Sequence, residues 1–423
     1  MDPARTYLKK HATGDPLVAQ EAVKGLKYIV ILPAYLETRL EESLVSLYNT
    51  ISPKFPVEIL VVINWPEDEI AENVALSHQI FKSASLWANG HSTDNKHFHV
   101  AEVGYIPRKK AGVGFARKTG MDEAVRRFLQ AGQSDGILIS FDADTLCDTN
   151  YFQEIEEHFH TNPYINGCSI YFEHPLEGNT FSKEVYKAIT QYELHMRCYL
   201  HGIRQSGFPN AFYTVGSALA VRASSYCMQG GMNIRQAGED FYFLQKFFDL
   251  GNFSDLTTTR VCPSPRPSLR VPFGTGKTID QLLTSGESLK SFHPSIYVIL
   301  GEFFACIPLI YKQITETRKF ELPVFQDGLN EFLAVSGFQN DIMDIYTNSG
   351  SYPAFIKRFY RYFNMFKILK FVKYFRKYFP DLPVDECARS ILKKAGAGFT
   401  NEMDEKQLLL EFRKCDKSSI VQQ

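Results

Sequence analysis

The sequence lacks what would staple a small fold or thread a membrane. Its eight cysteines (Cys147, Cys168, Cys198, Cys227, Cys262, Cys306, Cys387 and Cys415) are scattered, with no Cys-x-x-Cys pair and no clustered histidine. That usage argues against a zinc site or disulfide framework and points to a reducing, cytoplasmic setting. No sign of charge predominates: 46 Lys and Arg face 47 Asp and Glu, a formal charge of −1, so no whole-chain field advertises nucleic acid or an acidic substrate. Residues 1–19 lack the apolar stretch of a secretory signal, and no uninterrupted apolar run reaches the roughly 18 residues of a spanning helix. The nearest candidate, 296–311, contains Glu302 and Pro308 and is expected to be a buried helix or helix pair. There is no internal repeat and no low-complexity tract.

What is present suffices for a large core: 423 residues, 44% hydrophobic and 14% aromatic. Residues 28–33 (YIVILP) and 57–63 (VEILVVI) are near-continuous apolar runs rich in β-branched side chains, as expected of strands covered on both faces of a parallel sheet. Between them Leu40, Leu44 and Leu47 mark an amphipathic helix over 39–50, which predicts a right-handed βαβ crossover. A helix through Ile70, Val74 and Ile80, a strand over 97–103, a helix over 117–129 and a strand over 137–141 continue the alternation. The pattern predicts an α/β layered domain with ligand chemistry at the carboxyl ends of its strands.

Past residue 150 the alternation loosens into a strand over 165–172, a helix over 182–204, a strand over 213–221 and a helix from Glu239. Pro263, Pro265, Pro267 and Pro272 make 260–272 an irregular connection. The expected division is an N-terminal extension 1–26, an α/β domain 27–277 and a mainly helical region 278–423, with 416–423 frayed.

The sharpest chemical feature is Asp142-Ala143-Asp144, where an apolar strand ends in two carboxylates one residue apart. In extended geometry both point the same way, and they repel unless a hard cation with its phosphate ligands neutralises them. The same tripeptide also suits an Asx turn or a cap on a helix over 149–160. Farther on, Gly216-Ser217 precede a second acidic pair, Glu239-Asp240, at a predicted helix start, where acids are ordinary dipole partners.

In order, the segments 31–37 (ILPAYLE), 112–120 (GVGFARKTG) with Met121-Asp122-Glu123-Ala124, Asp142-Ala143-Asp144, and 213–231 leading to Glu239-Asp240 resemble the family 2 glycosyltransferases. The resemblance covers roughly residues 27–250 and implies the GT-A fold, a Rossmann-like mixed sheet flanked by helices. It further implies metal-dependent transfer of one sugar from a nucleoside-diphosphate sugar to a hydroxyl of a saccharide or lipid-linked acceptor, with inversion, in polysaccharide or glycolipid assembly. By the same resemblance Asp144 ligates Mn²⁺ or Mg²⁺, and Asp142 meets the ribose or the metal shell. Asp240, with Glu239 as the other candidate, would be the base that takes the acceptor proton. Donor contacts are expected from Pro33, Tyr35, Glu37, Asn64, Arg117, Asp142 and Arg270.

An aromatic face at Tyr35 and a carboxylate at Glu37 suit a nucleobase and its ribose. Arg117 and Lys118, at a Gly-preceded helix start, suit phosphate oxygens, with a solvated face as the alternative for Lys118. The basic stretch 266–277 offers Arg266, Arg270 and Lys277 to a diphosphate. Its Gly274-Thr275-Gly276-Lys277-Thr278 imitates a P-loop, but the position of that motif's first glycine holds Val271. The second strand departs from the family in ending Asn64-Trp65-Pro66 where members carry an acid, and the Gln-x-x-Arg-Trp motif of processive members is missing, the only tryptophans being Trp65 and Trp87. His195, His201 and His293 are expected to be packed or solvated, with His293 a remote third metal position.

Segment 352–379 carries Lys357, Arg358, Arg361, Lys367, Lys370, Lys373, Arg376 and Lys377 and no acid. Met365, Ile368, Leu369, Val372, Phe375 and Phe379 fall on one helical side, as on an in-plane helix at the inner, anionic membrane face. A helix covering the catalytic domain with its cations in water reads the same. Nucleic-acid binding is set aside because no stacking fold accompanies the charge. Two rival functions remain. A sugar nucleotidyltransferase needs a Gly-rich, Arg-containing loop after the first strand, which 33–37 does not offer. A non-catalytic GT-A-like scaffold at the membrane has against it the intact Asp142, Asp144, Glu239 and Asp240.

Overall fold

The computed structural model describes residues 2–12, 14–268, 270, 274–321, 325 and 328–418. It divides into two compact units, Met1–Tyr186 with Tyr213–Gln281, and Lys187–Phe212 with Leu282–Gln423. The first unit opens with α1 (Pro3–His11), β1 (Tyr28–Ala34), α2 (Leu40–Tyr48), β2 (Val57–Pro66), α3 (Ala71–His91), β3 (Lys96–Ile106) and α4 (Val113–Gln130). It continues with β4 (Ile137–Ser140), β5 (Leu146–Cys147), α5 (Tyr151–Thr161) and β6 (Gly167–Phe172), after which most of α6 (Lys183–Gln205) belongs to the second unit. Then come β7 (Leu219–Arg222), α7 (Ala223–Met228), α8 (Glu239–Leu250), β8 (Phe253–Cys262) and α9 (Thr275–Ser285).

The eight strands form one mixed sheet in the order β3-β2-β1-β4-β7-β6-β8-β5, flanked by helices. β1 runs parallel to β2 and β4, β2 to β3, and β6 to β8, while β7 is antiparallel to both β4 and β6. Six strands therefore end on one edge of the sheet, and β7 begins there. Every residue of β1, β2 and β4 is buried, as their apolar runs require. The expected strand over 213–221 shrinks to β7, and the helix through Ile80 extends to His91. β8 is an addition within a stretch that reads as polar. Its apolar residues are sparse, and only its β-branched threonines, Thr257 to Thr259, signalled a strand.

Helix α4 lies directly on the sheet because Gly120 has no side chain: a Cβ there would stand 2.6 Å from Ile31 Cγ2. Its other side is covered by the N-terminal segment, which is integral to this unit. The Lys118 Nζ donates to Tyr7 Oη (2.8 Å), to the His11 carbonyl (3.0 Å) and to Asp122 (2.8 Å). Tyr7 Oη donates to Asp122 (2.7 Å), Arg126 reaches the Gly14 carbonyl (2.8 Å), and Arg127 pairs with Glu58 and reaches the Gln20 carbonyl (2.9 Å).

The second unit is helical: β9 (Lys290–Ser291), α10 (Ser295–Thr317), α11 (Leu329–Val335), α12 (Phe338–Thr347), α13 (Tyr352–Tyr362), α14 (Met365–Phe375), β10 (Leu382–Pro383), α15 (Val384–Lys394) and α16 (Glu405–Ser418). α10 is one continuous helix with Pro308 inside it, long and apolar enough to cross a membrane by length and composition, and 44% of its apolar window is buried in the protein. Phe303 and Phe304 of α10 pack on Phe359 and Phe363. Phe355, Phe359, Ile368, Phe371, Val372 and Phe375 are all fully buried. The apolar faces of α13 and α14 are thus used up inside the protein, which corrects the in-plane membrane helix. The expected fraying is corrected in part too: Asp416 is 3% exposed and accepts from Arg197, Arg204 and His201, whereas 419–423 lie outside the described residues.

Candidate active site

The carboxyl edge of the sheet gathers the acidic residues. β4 stops at Ser140, and the chain turns at once, with the Thr145 N–H donating to the Asp142 carbonyl (3.1 Å). Phe141, Ala143 and Thr145 are buried, while Asp142 and Asp144 both remain about one-third exposed. The Asx-cap alternative falls away, because α5 begins after Asn150 with no side-chain cap. Beside the turn, Ser140 Oγ donates to the Gly216 carbonyl (2.6 Å), which ties β4 to the segment entering β7.

Arg117 joins the two acidic motifs. From α4, with 1% of its side chain exposed, it donates to Asp142 Oδ1 (2.5 Å) and to Glu239 at the start of α8. Burial alone would push the guanidinium down, but Asp142 and Glu239 hold it above its ordinary value. Gly216 permits the arrangement, since a Cβ there would sit 2.9 Å from an Arg117 nitrogen. Arg117 is therefore enclosed between carboxylates. Lys118 is held by Tyr7 and Asp122 and is not a solvated residue.

A second group lies after β1. Glu37, 3% exposed, takes a forked pair of bonds from Arg266, one of them 3.0 Å, and a further bond from Arg270 (3.3 Å). Arg266 also reaches Asp144 Oδ2 (3.1 Å). Arg270 donates to the Tyr35 carbonyl (2.8 Å), so it braces the loop after β1. Tyr35 Oη donates to Glu69 (2.5 Å), a partner no sequence signal announced, and burial with that bond pushes its hydroxyl up to about 12. Pro33 is buried within β1 opposite Val62. Asn64 is 2% exposed and its amide donates to the Gly112 carbonyl (3.1 Å). Both Pro33 and Asn64 therefore stand buried at this edge. Lys277 pairs with Asp280 one turn along α9, and Val271 lies outside the described residues. Two buried residues that sequence reading passed over, Glu173 and His174, follow β6 on the same edge. His195 meets Ser291 Oγ (2.9 Å), and His293 accepts from the Ser295 N–H at the start of α10.

The electrostatics are those of an acid-rich site held together by arginines. Glu37, Asp142, Asp144, Glu239 and Asp240 face Arg117, Arg266 and Arg270, so two negative charges are uncompensated when all are ionised. Burial, then Asp142 and Glu37, push the Asp144 carboxyl up to about 6 against the pull of Arg266 and Arg270. Burial and the adjacent Glu239 push Asp240 up to about 7. Among the described residues no group of three or more His, Cys, Asp or Glu is arranged to hold a metal ion by itself. Among the described residues, one oxygen of Asp142 and one of Asp144 nonetheless have no hydrogen-bond partner. That donor set fits a hard cation that takes one or two carboxylates and brings phosphate and water for its remaining positions.

No protein-family model matches the chain, and no curated protein matches it. Solved structures do. S. aureus TarS 1–349 in complex with UDP-GlcNAc is 12% identical, covering 94% of this chain and 92% of that one at a TM-score of 0.38. The mannosyltransferase PcManGT from Pyrobaculum calidifontis, with GDP-Man and Mn²⁺, is 13% identical over 99% of this chain and 93% of that one, at 0.36. Glucosyl-3-phosphoglycerate synthase from Mycobacterium tuberculosis is 14% identical over 68% and 86%, at 0.34. TM-scores this low decide nothing alone, and the functional reading rests on the chain's own residues.

Proposed function

We propose that the chain is a GT-A glycosyltransferase that moves a single sugar from a nucleoside-diphosphate sugar to an acceptor hydroxyl, with inversion. The observation that carries this reading is the buried Arg117, which fixes the Asp142 turn against the Glu239-Asp240 helix start on one sheet edge. Asp144 and Asp142 would hold Mn²⁺ or Mg²⁺, which when bound screens a diphosphate leaving group. Asp240, raised toward neutrality, is suited to take the acceptor proton near pH 7. Glu239 is committed to Arg117 and is the positioning partner. Tyr35 and Glu37 line the donor side, and Arg270 holds their loop. The missing Gln-x-x-Arg-Trp motif favours one transfer per encounter.

The acceptor belongs to polysaccharide or glycolipid assembly on the cytoplasmic side, a setting suited to eight cysteines scattered along the sequence. Lys357, Arg358, Lys370 and Lys373 are exposed on α13 and α14, without an acidic partner among the described residues, and suit a superficial contact with anionic lipid. Such contact is purely electrostatic, so flotation with anionic vesicles is expected at low salt and lost at high salt. Binding that survives high salt sinks the electrostatic contact.

The deciding experiment is a thermal-shift panel of UDP, GDP, CMP and their sugar conjugates with and without Mn²⁺, since a ligand of the native state raises Tm by mass action. A Mn²⁺-dependent shift with one nucleotide supports the reading. No shift with any donor in folded protein overturns it in favour of a non-catalytic scaffold.

A further inference from the structure

We infer that Arg266 is an exchangeable counter-ion for Asp144: it occupies that carboxylate in the free protein and gives it up when a divalent cation arrives together with a diphosphate. The inference rests on the proposed function and adds a residue that couples the two ligands.

Each acid of the Asp-x-Asp turn carries one arginine, and the two arginines are held in different ways. Arg117 is 1% exposed, rooted in α4 and locked from the far side by Glu239, so it is a permanent partner of Asp142. Arg266 leaves β8 on an irregular segment and is 24% exposed. Its fork is satisfied by Glu37 through both terminal nitrogens, and the bond to Asp144 is a single additional one of 3.1 Å. Asp144 can therefore be released without dismantling the Glu37 pair, which the structure reinforces with Arg270.

The released arm keeps Glu37, but that single carboxylate also accepts from Arg270, so one of the two arginine charges is left without a carboxylate of its own unless the incoming ligand supplies an anion. A cation alone displaces a guanidinium and strands its positive charge beside the cation. A cation with a diphosphate gives that arm a phosphate oxygen, for which an arginine fork is well shaped. Arg266 thus disfavours the bare cation and favours the pair, and by linkage each ligand raises the affinity for the other by the same factor.

The test titrates Mn²⁺ into the full chain and reads free Mn²⁺ by its electron paramagnetic resonance, first with the metal alone and then with inorganic pyrophosphate. The wild-type chain is expected to bind Mn²⁺ weakly alone and about tenfold more tightly with pyrophosphate, the size of one charge-assisted bond. Arg266→Met is expected to bind Mn²⁺ alone about tenfold more tightly than wild type and to lose most of the gain from pyrophosphate. Arg266→Gln, which keeps a hydrogen-bonding side chain without charge, follows the same direction and serves if the Met variant does not fold. Variants that bind Mn²⁺ alone no more tightly than wild type overturn the role of Arg266 and leave the proposed function standing. If no form of the chain binds Mn²⁺, with or without pyrophosphate, the metal-dependent reading falls and the inference with it.

Discussion

Replacing Arg117 with Met keeps most of the side-chain volume and removes the charge between Asp142 and Glu239. The Glu239 side chain is 4% exposed, so the variant would strand a carboxylate away from water, whereas Asp142, 37% exposed, recovers solvent and contributes little. Breaking a buried pair in this way costs about 3 to 5 kcal/mol. The loss of stability in Arg117→Met should therefore be about 3 to 5 kcal/mol at pH 7, read by denaturant unfolding of the metal-free protein. Adding Glu239→Gln removes the stranded charge and should recover most of the loss. A loss below about 1 kcal/mol, the size of an exposed ion pair, or no recovery in the double variant, refutes the idea that Arg117 compensates a buried charge.

Three further outcomes are expected. Gly216→Ala places a methyl 2.9 Å from a guanidinium that carboxylates hold on both sides, so kcat should fall by about tenfold or more from misplacement of the site; steady-state kinetics that match wild type would show that the guanidinium has room to move. Because Asp240 sits near 7 and must be deprotonated to act as a base, kcat/KM should climb with pH up to about 7 and then level, and Asp240→Asn should be slow at every pH. A rise centred in the ordinary carboxylate range would remove Asp240 from that role. Tyr7→Phe deletes the hydroxyl shared by Asp122 and Lys118 and should destabilise the protein by about 1 to 3 kcal/mol in denaturant unfolding, whereas a fraying extension would show no effect.

The sequence by itself determined the parallel half of the sheet. The runs in β1, β2 and β4 are apolar at nearly every position because strands covered on both faces admit nothing else, and that composition can be read without coordinates. It also placed Asp142 and Asp144 at a strand end, since that is a local fact of chain order. What it left out was anything that depends on which groups meet across long separations. β8 carries polar, β-branched residues whose strand state depends on pairing with β6. Arg117, at a Gly-preceded helix start, has the local look of a phosphate ligand, and only the tertiary meeting of α4 with the Asp142 turn and the start of α8 encloses it between Asp142 and Glu239. The basic aromatic tail has the pattern of a membrane-lying helix, and only the presence of Phe303, Phe304 and Phe332 opposite it turned its apolar faces inward. An amphipathic pattern states that a face will be buried, and a charged side chain that it will be paired. Which surface and which partner satisfy them is decided by tertiary structure, because a single low-dielectric interior must satisfy them all at once.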